Sequence, residues 1–202
     1  MNTQFACSCL VVSALLLSCG TSKKAPKKGG EEIVVRTAAI AVTPSPVTTY
    51  DSLQKKYAAY LKVEPDKITN LRLYRFIDQW LNTPYQWGGT SKKGIDCSSL
   101  IQQLLQNVYE IKIPRTSVEQ FYAKWINKFS STRHLSEGDL VFFRTDETKV
   151  VSHVGLYLGN RKFVNSSSSK GVSIANLDDA YWRRLYAGAG RVDVKMLAAY
   201  KK

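Results

Sequence analysis

The chain has 202 residues, 44% of them hydrophobic and 22% charged, enough to bury one core of ordinary composition with a small appendage. Its formal charge is +13, and residues 1–18 carry no Lys, Arg, Asp or Glu, so the rest of the chain favours anionic partners: nucleic acid, acidic lipid head groups or an acidic polymer. Solvated lysines are the plainer reading, and no helix-turn-helix, zinc-finger or RNP-type pattern supports nucleic acid. Cys7, Cys9 and Cys19 lie in the first nineteen residues, so Cys97 stands alone in the body. That excludes an internal disulfide framework and a CxxC zinc site, and no metal or cofactor is expected.

Residues 10–17 (LVVSALLL) form an apolar run too short to span a bilayer and fit the core of a signal peptide, although no Lys or Arg precedes it. The run LLSCG that follows resembles a bacterial lipobox, which implies acylation of Cys19; an ordinary cleaved signal is the alternative. Export also weighs against nucleic acid. Residues 19–50 then read as a flexible tether, with Lys23, Lys24, Lys27 and Lys28 beside the anchor and Pro44 and Pro46 breaking regular structure. Gly20 and Thr21, neither acidic, point by analogy with sorting in some bacteria to the periplasmic face of the outer membrane.

From residue 51 the pattern is globular. Leu53, Tyr57 and Tyr60 suggest a short helix over 51–60, ended before Pro65. Leu71, Tyr74, Ile77, Asp78 and Leu81 suggest a second, with Leu71, Leu73, Phe76, Ile77 and Trp80 buried and its end near Thr83 and Pro84. A glycine-rich loop with Gly88, Gly89 and Gly94 precedes Leu100, Ile101, Leu104 and Leu105 at helical spacing, so a third helix starts at Asp96 or Cys97 and runs to about Tyr109. Ser117 reads as the cap of a further helix through Trp125. After Gly138 come short β-branched or aromatic runs at 139–144, 151–158, 162–165, 172–175 and 189–194, with a hairpin signal at Gly159-Asn160. Helices first and an antiparallel sheet second make an α+β domain over 51–202.

A thiol at a helix start meets unpaired N–H groups and the positive end of the helix dipole, which favour thiolate. Alone, Cys97 is either a buried apolar residue or a reactive one. His153, in the strand VSHVGLYLG, supplies a base for it, while His134 reads as a loop surface residue. Asn165, twelve residues on at the end of the next strand, reaches His153 if the hairpin forms, and its carboxamide then fixes the ring tautomer. A strand-end asparagine opening the turn at 166–169 is the bland reading of Asn165.

Six ordered motifs, TPYQWGG, GIDCSSL, IPRTSVEQ, EGDLVFF, SHVGLYLGN and KFVNSSSSKGV, resemble the NlpC family of bacterial cell-wall cysteine peptidases over about 71–192. The resemblance implies a papain-like domain with N-terminal helices packed on a mainly antiparallel sheet of five to six strands. It implies Cys97 as nucleophile, His153 as general base and Asn165 as the third polar residue, where many members have His. Tyr85 matches a residue lining the site, for substrate or oxyanion binding. Asp96 and Ser98 flank the nucleophile, and Arg115, Thr116 and Gln120 match a stretch near the cleft, with a surface arginine and a cap as their plain readings. Ser99 stands where the family usually has glycine. The implied activity is hydrolysis of peptidoglycan stem-peptide or cross-link amide bonds through a thioester, by a monomeric, lipid-anchored enzyme of the bacterial envelope. A wall-binding or adaptor lipoprotein of weak activity, and an amidase or acyltransferase of the same superfamily, are the alternatives.

Overall fold

The computed structural model describes residues 49–195. The expected signal segment, Cys19 and the tether up to residue 48 lie outside the described residues. Helix α1 (Ser52–Leu61) starts at Asp51, whose carboxylate accepts the Leu53 N–H at 2.6 Å while the Gln54 side chain accepts the Asp51 N–H. After a 3₁₀ turn over Pro65–Lys67, Asn70 caps α2 (Leu71–Trp80) by accepting the Leu73 N–H. This helix buries Leu73, Tyr74, Phe76, Ile77 and Trp80, while Leu71, at its first position, is only half-buried. A loop carrying a two-residue hairpin, β1 (Thr90–Ser91) and β2 (Gly94–Ile95), leads into α3 (Cys97–Tyr109), which buries Leu100, Ile101, Leu104, Leu105 and Val108.

Thr116, not Ser117, caps α4 (Ser117–Tyr122), in a reciprocal box with Glu119. The helix stops at Ala123, whose backbone turns extended, so it does not reach Trp125. The chain instead enters β3 (Ile126–Phe129), a strand absent from the sequence reading. It is followed by β4 (Leu140–Phe143), β5 (His153–Gly159), β6 (Lys162–Ser167), β7 (Gly171–Asn176), helix α5 (Ala180–Leu185) and β8 (Tyr186–Val192). The six-stranded sheet has the order β3-β8-β4-β5-β6-β7, antiparallel throughout. The expected α+β architecture is therefore present, with β3 completing the edge beside β8.

Alternation along the strands builds two cores. Leu140, Phe142, Val154, Leu156, Leu158, Val164 and Val172 pack with α1, α2 and α3 on one face. Val141, Phe143, Tyr157, Phe163 and Ala189 form a smaller cluster on the other, closed by Leu177 and by Trp182 of α5. The β5–β6 turn consists of Asn160 and Arg161, both at positive φ, as a type I′ hairpin requires. Asn160 also donates to the Leu61 carbonyl at 2.6 Å, tying the hairpin to the end of α1.

Candidate active site

The nucleophile candidate is set by its cap. Asp96 precedes α3 in extended backbone, and its Oδ1 accepts the Ser99 N–H at 2.8 Å, closing the first turn around Cys97. The same carboxylate accepts from the Ser98 hydroxyl at 3.0 Å, from the Gly88 N–H at 3.0 Å, and from both terminal nitrogens of Arg115 at 3.0 and 2.6 Å. Burial pushes the Asp96 carboxyl up, but the hydrogen bonds from Arg115, Ser99 and Ser98 and the guanidinium charge outweigh it and hold it below the ordinary value. Asp96 thus clamps glycine loop, helix start and the Arg115 segment together. The loop needs its glycines: Gly88 has φ +70, and a Cβ on Gly89 would lie 2.4 Å from the Gly94 carbonyl oxygen.

This network shows what the residues flanking the nucleophile and the Arg115 stretch touch. Arg115 has its fork occupied by Asp96 and donates to Ser98 Oγ at 2.9 Å, so it is neither a free surface arginine nor an open cationic site. Ser98 and Asp96 are buried and spend their polar atoms on each other and on Arg115. Gln120, fully buried, donates to the carbonyls of Ser98 and Pro114 and braces the same turn. Thr116 is the α4 cap.

The base candidate comes from the sheet. His153 opens β5, paired in register with Phe143, and its Nε2 lies 3.1 Å from Asn165 Oδ1 on β6. Asn165 is completely buried, and its amide nitrogen donates to the Ser173 carbonyl at 3.4 Å, which turns Oδ1 toward the ring. Asn165 Oδ1 then accepts the Nε2 proton, and Nδ1 carries the lone pair of a neutral base. The hairpin does what the spacing required, although the pair is diagonal across the ladder: Leu156 faces Val164, so the next step in register sets Asn165 against Gly155.

Cys97 and His153 line one cleft of about 640 Å³, with Asn165, Tyr85 and Trp87 among its walls. A second cleft, of about 530 Å³, lies beside Asp96, Ser98, Arg115 and Val118 and also reaches Cys97, Tyr85 and Trp87. Cys97 therefore borders depressions bounded by different residues. Tyr85 is half-buried between them, and burial, then the charges of Cys97 and Asp96, raise its phenol above the ordinary value. Burial pushes the Cys97 thiol up to about 11, against the N–H groups of Val154, Ser98 and Cys97 itself, which pull it down. Burial drives His153 down to about 4, against the Asn165 bond, which favours the charged ring. Burial and the helix end thus act in opposite directions on Cys97, and desolvation is the larger cause. Among the described residues no group of three or more His, Cys, Asp or Glu is placed to hold a metal ion.

The profile of the NlpC/P60 family matches residues 82–191. The chain belongs to the NlpC/P60 family. Over 116 residues it is 41% identical to a probable endopeptidase NlpC homolog of Haemophilus influenzae, covering 57% of this chain and 58% of that protein. It is 40% identical over 121 residues to the murein DD-endopeptidase MepS/murein LD-carboxypeptidase of Escherichia coli, covering 58% of this chain and 62% of that one. The chain thus spans about three fifths of the length of these relatives. An NlpC/P60 family protein from Bacillus cereus superposes on 61% of this chain and 40% of its own, with a TM-score of 0.54 and 32% identity.

In this NlpC/P60 domain two features of the site escaped the sequence reading. Trp182 of α5 stacks on the His153 ring, and its six-residue helix is too short to announce itself by periodicity. Trp87, within the TPYQWGG motif, is 79% exposed at the mouth of both clefts. Ser99, in place of the usual glycine, fits behind the helix start fully buried, and its hydroxyl has no hydrogen-bond partner among the described residues.

Proposed function

We propose that this chain is a cysteine-type murein endopeptidase that cleaves cross-link peptide bonds through a Cys97 thioester. The observation that carries this reading is that Cys97, at the start of α3, and His153, whose ring is held by Asn165 at 3.1 Å, line one cleft. As Cys97 Sγ attacks the carbonyl carbon, its proton passes to His153 Nδ1, so no standing thiolate is needed. The imidazolium then protonates the leaving amine, the C–N bond breaks, and an acyl-enzyme remains. Water attacks the thioester, giving its proton to His153, and the thiol leaves with a proton in turn. The backbone N–H of Cys97, in the unpaired first turn of α3, and the Tyr85 hydroxyl are the donors for the oxyanion. The two clefts share Cys97, Tyr85 and Trp87 and extend past different residues beyond them, which suits an internal bond with chain running both ways. The MepS and MepH relatives are both named murein DD-endopeptidases, which favours the D,D cross-link as the bond cleaved, and the second name of MepS, murein LD-carboxypeptidase, makes a stem-peptide bond the other substrate to test.

The same reading extends to location. Cys19 is acylated after removal of the signal, and the basic tether holds the monomeric enzyme at the periplasmic face of the outer membrane. The lipobox-like LLSCG supports this, as does the 28% identity to a Staphylococcus aureus structure described as similar to lipoprotein. Incubating purified sacculi with the protein and with Cys97→Ala, then analysing soluble fragments by mass spectrometry, tests the activity. Fragments with opened cross-links from the wild type alone are expected; wall binding without new fragments from either would overturn the reading in favour of a binding protein. Membrane release of Cys19→Ala, measured by fractionation, checks the anchor.

A further inference from the structure

We infer that Trp182 is a positioning residue for His153, holding the plane of the imidazole and covering one of its faces from water; this rests on the thiol-peptidase reading above. The two rings lie 5.2 Å apart between centroids with 28° between their planes, an offset stack. A single in-plane hydrogen bond to Asn165 does not by itself fix the tilt of the imidazole about the Nε2···Oδ1 line, and Phe143 meets the ring only at a tilt, 6.0 Å between centroids. A flat neighbour on its face removes that freedom, and it does so without competing for either ring nitrogen. The need is greater here because the third residue is a neutral amide, whose bond is weaker than that of a carboxylate.

The indole is itself fixed. Its ring centroid lies 4.8 Å from Phe143 and meets Phe163 edge-on at 5.2 Å and Tyr181 edge-on at 4.9 Å. Its helix closes its first turn with the Arg183 N–H on the Asp179 carbonyl at 2.9 Å and is tied at its end to the segment after β4 by the Arg144 N–H on the Leu185 carbonyl at 2.8 Å. Trp182 is only 9% exposed, so it is a wall of the cleft and not a flap. The titratable groups lining the cleft with the ring, or acting on it, are Asp96 at the α3 cap and Cys97 of α3, Tyr85 from the glycine loop, Asp146 and Lys149 from the β4–β5 connection, Lys162 from β6, Lys170 from the β6–β7 turn, and Asp179 and Tyr181 at the start of α5. Of these only Tyr181 packs on the indole, and a phenol is neutral over the pH range in which a histidine titrates, so a shift in the histidine reports the indole. Burial is the main cause of the low His153 value, and the indole supplies part of that burial.

The test uses the full chain carrying Trp182→Leu or Trp182→Phe, with three readouts: the His153 titration by imidazole NMR, the pH dependence of Cys97 alkylation by iodoacetamide followed on its own peptide mass, and kcat and KM on a cross-linked muropeptide. Trp182→Leu is expected to move the His153 midpoint upward toward 6.5, to lower kcat about tenfold or more with KM little changed, and Trp182→Phe to recover most of both. If Trp182→Leu is too unstable to study, a smaller upward shift in Trp182→Phe decides the matter. Unchanged titration and alkylation profiles in folded variants would overturn the inference. Absence of hydrolysis by the wild type would instead sink the peptidase reading, and the first two readouts would still decide the role of Trp182.

Discussion

Asp96 holds the glycine loop, the start of α3 and Arg115 on one carboxylate. Replacing it by Ala removes the α3 cap, worth about 0.5–2 kcal/mol, and leaves Arg115 without its carboxylate. Breaking a fully buried pair costs about 3–5 kcal/mol, but the Arg115 side chain is 35% exposed against 11% for Asp96, so solvent reduces that to about 1–2 kcal/mol here. Asp96→Ala is therefore expected to lose about 2–4 kcal/mol, whereas Asp96→Asn keeps a good cap and a neutral acceptor and loses about 1–2 kcal/mol. Urea unfolding followed by circular dichroism measures both. Because the folded carboxyl is held below its unfolded value, its contribution is present above that unfolded value and fades as pH falls through the folded one. The wild-type advantage over Asp96→Ala should shrink in acid accordingly. Equal stability of Ala and Asn variants, or a loss under about 0.5 kcal/mol for Ala, would refute the clamp.

Other consequences follow from the same geometry. His153 is depressed from 6.5 to about 4, so the unfolded chain takes up its proton first; stability declines as pH falls from 6.5 and the full loss, about 3 kcal/mol, is reached near pH 4. Activity should persist well below pH 6.5 and fall away as pH drops through about 4, in a kcat/KM profile measured over that range. Asn165→Leu strips the acceptor from Nε2–H in a buried site and should lower kcat by about tenfold to a hundredfold in steady-state assays, with Cys97 still present and labelled. Trp87→Ala, at a 79% exposed position, should leave the melting temperature within about 1 °C and raise KM more than it lowers kcat. An unchanged KM would remove Trp87 from the substrate path.

The main helices and central strands were legible because their buried positions repeat: Leu100, Ile101, Leu104 and Leu105 on α3, and the alternation through Val154, Leu156 and Leu158 on β5. The Cys97, His153 and Asn165 set could be proposed from spacing because one hairpin links the last two. What failed was short or long-range. In β3 only Ile126 is buried and Asn127 and Lys128 face solvent, so four residues at an edge gave no alternation strong enough to end the preceding helix. α5 is a six-residue helix whose importance lies in the ring it touches on another element. Arg115 finds Asp96 nineteen residues away, a contact that no local pattern encodes. The helix start at Cys97 is visible in sequence, whereas the burial that raises its thiol is set by the folded packing around it.

The most direct test of the central claim is to trap the covalent intermediate. A reaction with a cross-linked muropeptide would be quenched in acid within milliseconds to seconds, and the peptide containing Cys97 weighed by mass spectrometry. A transient adduct on Cys97 is expected, equal in mass to the acyl part of the cleaved strand, lost at longer times and absent with Cys97→Ala. Cleavage that continues undiminished in Cys97→Ala, with no adduct on Cys97 in the wild type at any time, would contradict it.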